Sequence, residues 1–550
     1  MHASFGKTHK TWLTALSAAI ALALSAGSAQ AGVSQSGEAK NMHRVGHVDL
    51  QGRDSYQPNV IVYPDGRTIA FAGTHNGSAP NPLNTADPTT PEPNGTMIID
   101  VTDPANPKQT AHIPVPVAGG QAQMARMCLG SDLANDPANK NVYLLRNIQG
   151  NAAQMSGYEV WDVTDIRQGK PFLASAIRGI RNTHKLWWEC NTGIAYMPGS
   201  YDVPAATGER WRTGQSMVIV NWQNPTAPPL PCRTFGLPGG QPGAIGPTAP
   251  SLHGPISAHE HPNAAGKLAR ALTADDVIGN RIYAAYGVGD DGVMQILDRK
   301  KLLPVSCGGT YTGPANTPSE AELLSPQAGI LYMSPDQGGH TSMPVFGMNP
   351  PSYQSFTEFK TRDIVLLASE ATADRCQEAP HWSFIVDVTV ENSKTAPPGT
   401  RCSTLPTTPC LTPVEVNQWQ GPMVLSTMSV DPRLGEKYPR GNYCTRGARY
   451  GVHSSEENFN NPLYGKLTVL AYFTGGVRVW DIREPQAPVE VAFYVTETTN
   501  FRDPTGYMTN NVEVDNRGFI YSTDRNGSGM DILQLMGPAK NIAFPPPQGN

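Results

Sequence analysis

The sequence predicts an all-β chain, a β-propeller of about seven four-stranded blades closed by an N-terminal strand. Three observations predict it. A short phrase recurs, as GTMIIDVTDPANPKQTAHIPV at 95–115 and VRVWDIREPQAPVEVAFYV at 477–495, with weaker copies beginning at Tyr158, Ser216, Val293, Ser383 and Gly529. Upstream of the copies lies an apolar, strand-like run joined to the phrase by a Gly-rich turn. Good helical patterns are absent, while 54 glycines and 50 prolines supply turns.

Within the phrase, Val477, Val479 and Ile482 alternate around Arg478 and Asp481, the period of two that marks a strand. The segment that follows, such as Asp103-Pro104-Ala105-Asn106-Pro107, cannot continue a ladder and turns the chain into a further strand. The upstream runs are clearest at 281–287, 362–369, 466–473 and 518–524; turns such as Thr474-Gly475-Gly476 and Asn526-Gly527-Ser528-Gly529 make hairpins of them. One more extended segment before each hairpin brings the unit to four strands. Equivalent positions at Asp100, Asp162, Asn221, Asp298, Asp387, Asp481 and Asp531 lie 50–94 residues apart, because several units carry Gly/Pro-rich insertions, the longest at 197–216, 237–280, 309–360 and 390–440. The last unit is followed by MGPAKNIAFPPPQGN and lacks a fourth strand, whereas 44–52 is a strand without a hairpin partner. That strand is expected to complete the last blade and close the ring.

MIIDVTDPANP and VRVWDIREPQAP resemble the LVIVD repeat of exported bacterial and archaeal propeller-like proteins. The likeness covers most of the chain after the leader, is strong in units one and six, and fades in three, four and five. It implies an extracytoplasmic propeller and says little about chemistry, because the repeat is scaffold.

Residues 1–31 read as a signal peptide: Lys7, His9 and Lys10 precede the apolar run TWLTALSAAIALALSA, which ends on the small-residue site Ala29-Gln30-Ala31. Residues 32–550 then form a single propeller domain with long loop insertions, periplasmic or secreted, and no later run is apolar enough to span a bilayer. Without Lys7 and Lys10, 39 basic residues face 46 acidic ones, 39 − 46 = −7, a surface that does not invite nucleic acid. All eight cysteines follow the leader, which favours disulfides. Cys402 and Cys410 bracket a short Pro-rich loop and form one plausible local bridge; spacing leaves the partners of the others open.

Gly287-Val288-Gly289-Asp290-Asp291-Gly292 matches a dinucleotide-loop pattern, but VMQILD after it is a strand, not a helix, so the glycines belong to a hairpin turn. No Walker A, HExxH or GxSxG motif occurs. Histidines form the more informative pattern. His184, His253, His340 and His453 each stand at the start of the first strand of a different unit, with His259 and His261 following His253. First strands of a propeller line its channel, so these residues are expected to converge at one mouth. Converging neutral imidazoles bind a transition metal, copper or zinc above all, with Glu260 or Glu456 as further donors. The competing reading is packing, each imidazole bonding to the neighbouring blade. His75, His112 and His381 stand outside the pattern. Trp187 and Trp188 must face opposite ways and are expected to pack between blades. Glu370, Glu456 and Glu457 lie near channel-facing ends, where a carboxylate can act as a base or stay solvated.

Two functions follow from these residues. One is a ligand- or protein-binding scaffold, whose partner is a small molecule or an extracytoplasmic protein. The other is a metal-dependent oxidoreductase, copper most of all, with His184, His253, His259, His261, His340 and His453 as the ligand pool. Export carries its own test: N-terminal sequencing of protein recovered from periplasm or medium should begin at Gly32, and a chain retaining Lys7 and Lys10 would contradict the leader.

Overall fold

The recurrent phrase forms the third strand of each blade, and its terminal Asp or Asn shows why it recurs. Asp100, Asp162, Asn221, Asp387 and Asp481 each accept a hydrogen bond from the backbone N–H two residues on, and Asp298 from the one three on, at 2.9–3.1 Å. This side-chain turn stops the strand and reverses the chain into the fourth strand. Just before it, the same six blades carry a register shift between third and fourth strands, as at Ile98/Ile99 and Val479/Trp480. Such bulges increase local twist.

The structure, a computed structural model, describes residues 38–134, 136–150, 156–201, 210–259, 278–355, 360–392, 421–496 and 507–546. Seven four-stranded antiparallel blades follow one another. Their inner strands are Ser55–Val62, Ala125–Leu129, Trp187–Trp188, Leu252–Ser257, Gly339–Met348, Tyr450–Ser455 and Thr509–Val514. Apolar clusters fill the space between neighbouring sheets; Trp187 joins one and Trp188 the next, so the tryptophan pair bridges two interblade cores. Gly287–Gly292 joins Arg281–Tyr286 to Val293–Asp298 as a hairpin, and Gly287 adopts a φ of 89°. That conformation suits glycine and has nothing to do with a nucleotide loop.

Closure takes the expected form. Met42–Val48 runs antiparallel to Met530–Leu535 as the fourth strand of blade 7, and Glu38–Lys40 adds to the outer strand of blade 6, Val489–Val495. Two buried charge contacts fasten the seam: Glu38 accepts from Arg446 at 3.0 Å, and Asp531 binds His47 at 2.7 Å together with the Thr496 hydroxyl. Three disulfides also join consecutive blades, Cys128–Cys190, Cys232–Cys307 and Cys376–Cys444. Cys402 and Cys410 lie outside the described residues.

Two expectations need correction. Asp531 is not equivalent to the other six turn residues, since it is the second residue of its strand and points at the seam rather than at a turn. The stretches 309–360 and 390–440 are not pure insertions: they contain the outer strands Gln327–Tyr332 and Met423–Met428 and the whole of the inner strand Gly339–Met348. Weak periodicity in the two outer strands, several of whose residues are half-exposed, hid them. Among the described residues no helix is long and apolar enough to cross a membrane.

Deleting 38–48 should lower unfolding stability by several kcal/mol, because it bares two strand edges and uncovers Leu535 and Tyr494. Urea denaturation of the truncated chain checks this, and an unchanged midpoint would mean that the ring closes elsewhere.

Candidate metal centre at the channel mouth

Seven inner strands begin at one mouth of the axis, and the second strand of each blade, antiparallel to the first, ends there. The mouth therefore collects two sets of residues. Tyr56, His253, His340 and His453 come from the inner strands, with Gln123 and His184 just before two others. His75 and Glu370 directly follow the second strands Thr68–Thr74 and Arg362–Ser369.

The imidazoles touch in sequence around the axis. Ring centroids lie 4.5 Å apart for His184 and His253, 4.0 Å for His253 and His340, and 4.3 Å for His340 and His453. Tyr56 Oη reaches His340 Nε2 at 3.1 Å and His184 Nε2 at 3.4 Å. Glu370 faces three of the rings: its carboxylate oxygens lie 3.9 Å from Nε2 of His253, 3.9 Å from Nε2 of His340 and 3.6 Å from Nε2 of His453.

Hydrogen bonding fixes two tautomers. His253 Nδ1 lies 3.1 Å from the His340 carbonyl, and His453 Nδ1 bonds to the Asn510 carbonyl. A carbonyl only accepts, so each Nδ1 carries the proton and each Nε2 presents a lone pair. His453 Nε2 is buried with no hydrogen-bond partner among the described residues. Burial holds these rings neutral: it pushes His184 down to about 3 and drives His75, His253, His340 and His453 well below the usual imidazole range. Burial likewise raises the Glu370 carboxyl, against the pull of Arg525, Arg449 and Lys185. His253, His340 and Glu370 each offer a donor atom, all within 4.8 Å of one another.

Four of the six expected histidines thus converge. His259 does not. It sits six residues beyond His253, roughly 20 Å along an extended chain, and its Nδ1 contacts the Gly279 carbonyl 2.9 Å away. His261, like Glu260, lies outside the described residues. His75, set aside on sequence grounds, belongs to the mouth: Nδ1 meets the Gln123 amide at 3.2 Å and the ring meets Tyr56 edge-on at 5.2 Å. Glu370 fits a donor role rather than the role of a base alone. The signal for both was their place one residue past a second strand. His112 is elsewhere, bonded to Glu92 at 2.9 Å, and His381 bonds Ser369 at 2.7 Å beside the rim.

Below the mouth the channel stays polar. Lys185 donates to Thr341 at 2.8 Å and pairs with Glu457, which also pairs with Arg126. Arg126, Trp187, Glu457, Phe459 and Glu513 border a cavity of about 180 Å³ at the opposite end. Glu456 lies nearby, bonded to Asn458 N–H at 3.0 Å and to Asn461 at 3.2 Å.

No protein-family model matches the chain, and no curated protein matches it. Among solved structures it is similar to the propeller of Dos1 (8% identity over 90% of this chain and 96% of that one, TM-score 0.41). It is also similar to the Cps50 (Swd1) β-propeller domain of Myceliophteria thermophila (9%, 87% and 97%, TM-score 0.39) and to hydrazine synthase of Kuenenia stuttgartiensis (10%, 89% and 97%, TM-score 0.42). At such identities and scores the likeness carries nothing about chemistry; the strand pairing itself establishes the architecture.

Burial pushes Glu456 up to about 8, so it folds as a neutral acid. A raised carboxyl contributes its full stability below its unfolded value of 4.5 and loses it as pH rises through 8. Glu456→Gln should therefore gain on the wild type by a few kcal/mol between pH 5 and pH 8.5. Parallel melting curves across that range are the measurement, and a pH-independent difference would exclude a neutral Glu456.

Proposed function

We propose that the chain is an exported binding propeller of the LVIVD-repeat kind whose bound species is a transition-metal ion, copper or zinc. His253, His340, His453 and Glu370 are its ligands, with His184 beside them. One observation carries this reading: imidazole Nε2 atoms from three blades face a single buried carboxylate. Of these, His453 Nε2 is a lone-pair acceptor with no hydrogen-bond partner among the described residues, and it faces the carboxylate across 3.6 Å, where a cation would fit; His253 Nε2, also an acceptor, has His184 Nε2 at 2.8 Å.

The donor set fits the ion. In a tetrahedral site with bonds of about 2.0–2.1 Å, donors stand roughly 3.3–3.4 Å apart. The 3.6–3.9 Å separations between the imidazoles and Glu370 need a contraction of a few tenths of an ångström, while the donor atoms of His253, His340 and Glu370 lie within 4.8 Å of one another and His453 would have to close in on them. Rings already neutral bind without losing a proton, and the Nδ1 bonds to backbone carbonyls orient them as outer-shell partners of metal-bound histidines do. Copper would supply one-electron chemistry, as the oxidoreductase reading requires, and zinc a Lewis acid; the chain holds the ion and shields it from bulk water. Export is supported by the leader-like residues 1–31 and by three disulfides between blades.

Packing is favoured by one specific observation, that the same Nδ1 bonds tie neighbouring blades together. In that case the propeller is a scaffold for a small molecule or an extracytoplasmic protein. Elemental analysis after gentle purification, followed by copper and zinc titration, separates the two. About one ion per chain is expected, and His340→Ala with His453→Ala should abolish binding, because two donors are too few. Protein that stays metal-free on titration returns the chain to the scaffold reading.

A further inference from the structure

Three buried polar atoms at the cavity end of the channel have no hydrogen-bond partner among the described residues, and they come from three different blades: Arg126 Nε, Trp187 Nε1 and Glu513 Oε2. They belong to the inner strands Ala125–Leu129, Trp187–Trp188 and Thr509–Val514, and all three side chains border the cavity of about 180 Å³. Charge, by contrast, is already satisfied there. Arg126 gives Nη2 to Glu457, which also takes Lys185, and Lys185 is supported by Glu370 from the other side. The Arg126 guanidinium lies 4.2 Å from the Trp187 ring centroid, and Phe459 meets that ring edge-on at 5.8 Å, so packing holds both donors in place. Burial raises the Glu513 carboxyl well above its usual range, against the pull of Arg126.

A buried donor left without an acceptor is costly, and guanidinium and indole N–H groups can only donate. Whatever fills the cavity must therefore bring acceptor oxygens. It must also answer a carboxyl, which donates when protonated and accepts when ionised. A hydroxyl does both and carries no charge. An anion finds no counter-charge left, because Glu457 and Glu370 already answer the two basic groups, and a cation meets Arg126. We infer that the cavity is a binding site for a neutral polyhydroxylated molecule, a small polyol or the terminal ring of a saccharide, whose hydroxyls bond to Arg126 Nε–H, Trp187 Nε1–H and the Glu513 carboxyl. Size agrees, since an apolar cavity of about 150 Å³ accepts benzene and glycerol has as many non-hydrogen atoms. A longer saccharide would continue into a second hollow of about 600 Å³, which shares Val60, Ile61, Asn458 and Asn460 with the first. The site is independent of the metal reading, because none of its residues is among the metal ligands.

The test titrates the full exported chain with glycerol and with D-xylose, followed by ligand-observed NMR, with acetate and urea as the charged and amide comparisons. Saturable binding of at least one hydroxylated probe is expected; xylose the tighter assigns a saccharide, glycerol the tighter a small polyol. Trp187→Phe keeps an aromatic ring and removes the N–H, and Arg126→Lys keeps the charge beside Glu457 and removes Nε–H. Each should weaken binding about three- to tenfold. Melting curves show whether a variant folds, and either one alone suffices for the test. Wild-type chain with no saturable binding of either probe overturns the inference and leaves the cavity to water. So does a folded variant pair that binds as the wild type does. Acetate or urea binding more tightly than both probes overturns the hydroxyl assignment. Zinc uptake should be the same in the wild type and both variants; zinc lost together with the probe would mark a general distortion and overturn a local site.

Discussion

The ladder between Met42–Val48 and Met530–Leu535 is the constraint on which the rest depends. A ring of seven sheets holds its radius only if the last sheet is complete and packed against the first, and here the chain's two ends must meet to complete it. The seam carries buried polar anchors as well as backbone bonds. Asp531, 1% exposed, gathers His47 and Thr496, and Glu38 meets Arg446 one blade away. Buried charges of this kind cost desolvation and repay it mainly in specificity of pairing, which a ring-closing strand needs because a slip of one residue would turn its apolar side outward. The axial residues keep their mutual distances only while this seam holds.

Much of the architecture could be read from the chain because its cause is local. An Asp or Asn that accepts the N–H two residues ahead ends a strand in any context, so Asp100, Asp162, Asn221, Asp387 and Asp481 mark the third strand with no knowledge of the rest. The outer strands were harder. They present one edge to solvent and need little apolar alternation, as Met423 at 59% and Tyr332 at 73% exposure illustrate. Strands at 327–332 and 423–428 consequently resembled the loops around them. Asp531 misled for the opposite reason: it has the right residue type, but its partners are His47, from the other end of the chain, and Thr496, from the preceding blade.

The candidate site was readable by half. His184, His253, His340 and His453 share a position relative to the inner strand, and a shared position in a repeat becomes a shared place in space. His75, Glu370, Arg449 and Arg525 reach the mouth by other routes, most of them one residue after a second strand. Antiparallel geometry makes that end coincide with the beginning of the inner strand, so a rule that counts both ends of the hairpin recovers the acidic and basic members along with the histidines. His259 shows the limit of motif spacing. An HxH run along an extended strand leaves the mouth within a few residues, because each step advances about 3.3 Å.

The channel separates two ways of tolerating buried polar groups. Toward the cavity end, opposite charges compensate each other: Lys185 and Arg126 share Glu457. Glu456, by contrast, avoids charge by staying protonated at neutral pH. At the histidine mouth neither remedy is complete. Neutral imidazoles remove charge but leave lone pairs, and a buried acceptor without a donor costs about 1–3 kcal/mol. His453 Nε2 has no partner among the described residues, and it faces an oxygen that can donate only if Glu370 is protonated. Burial favours that proton while Arg449 and Arg525 oppose it. One proton on Glu370 can satisfy His453 Nε2, since His253 Nε2 has His184 Nε2 at 2.8 Å and His340 Nε2 has the Tyr56 hydroxyl at 3.1 Å, whereas a metal ion would take all three nitrogens at once. A mouth designed only for packing would need a single imidazole bonded across each blade boundary; four in successive ring contact, three of them facing one carboxylate, exceed that need, and the excess is what a bound cation would use.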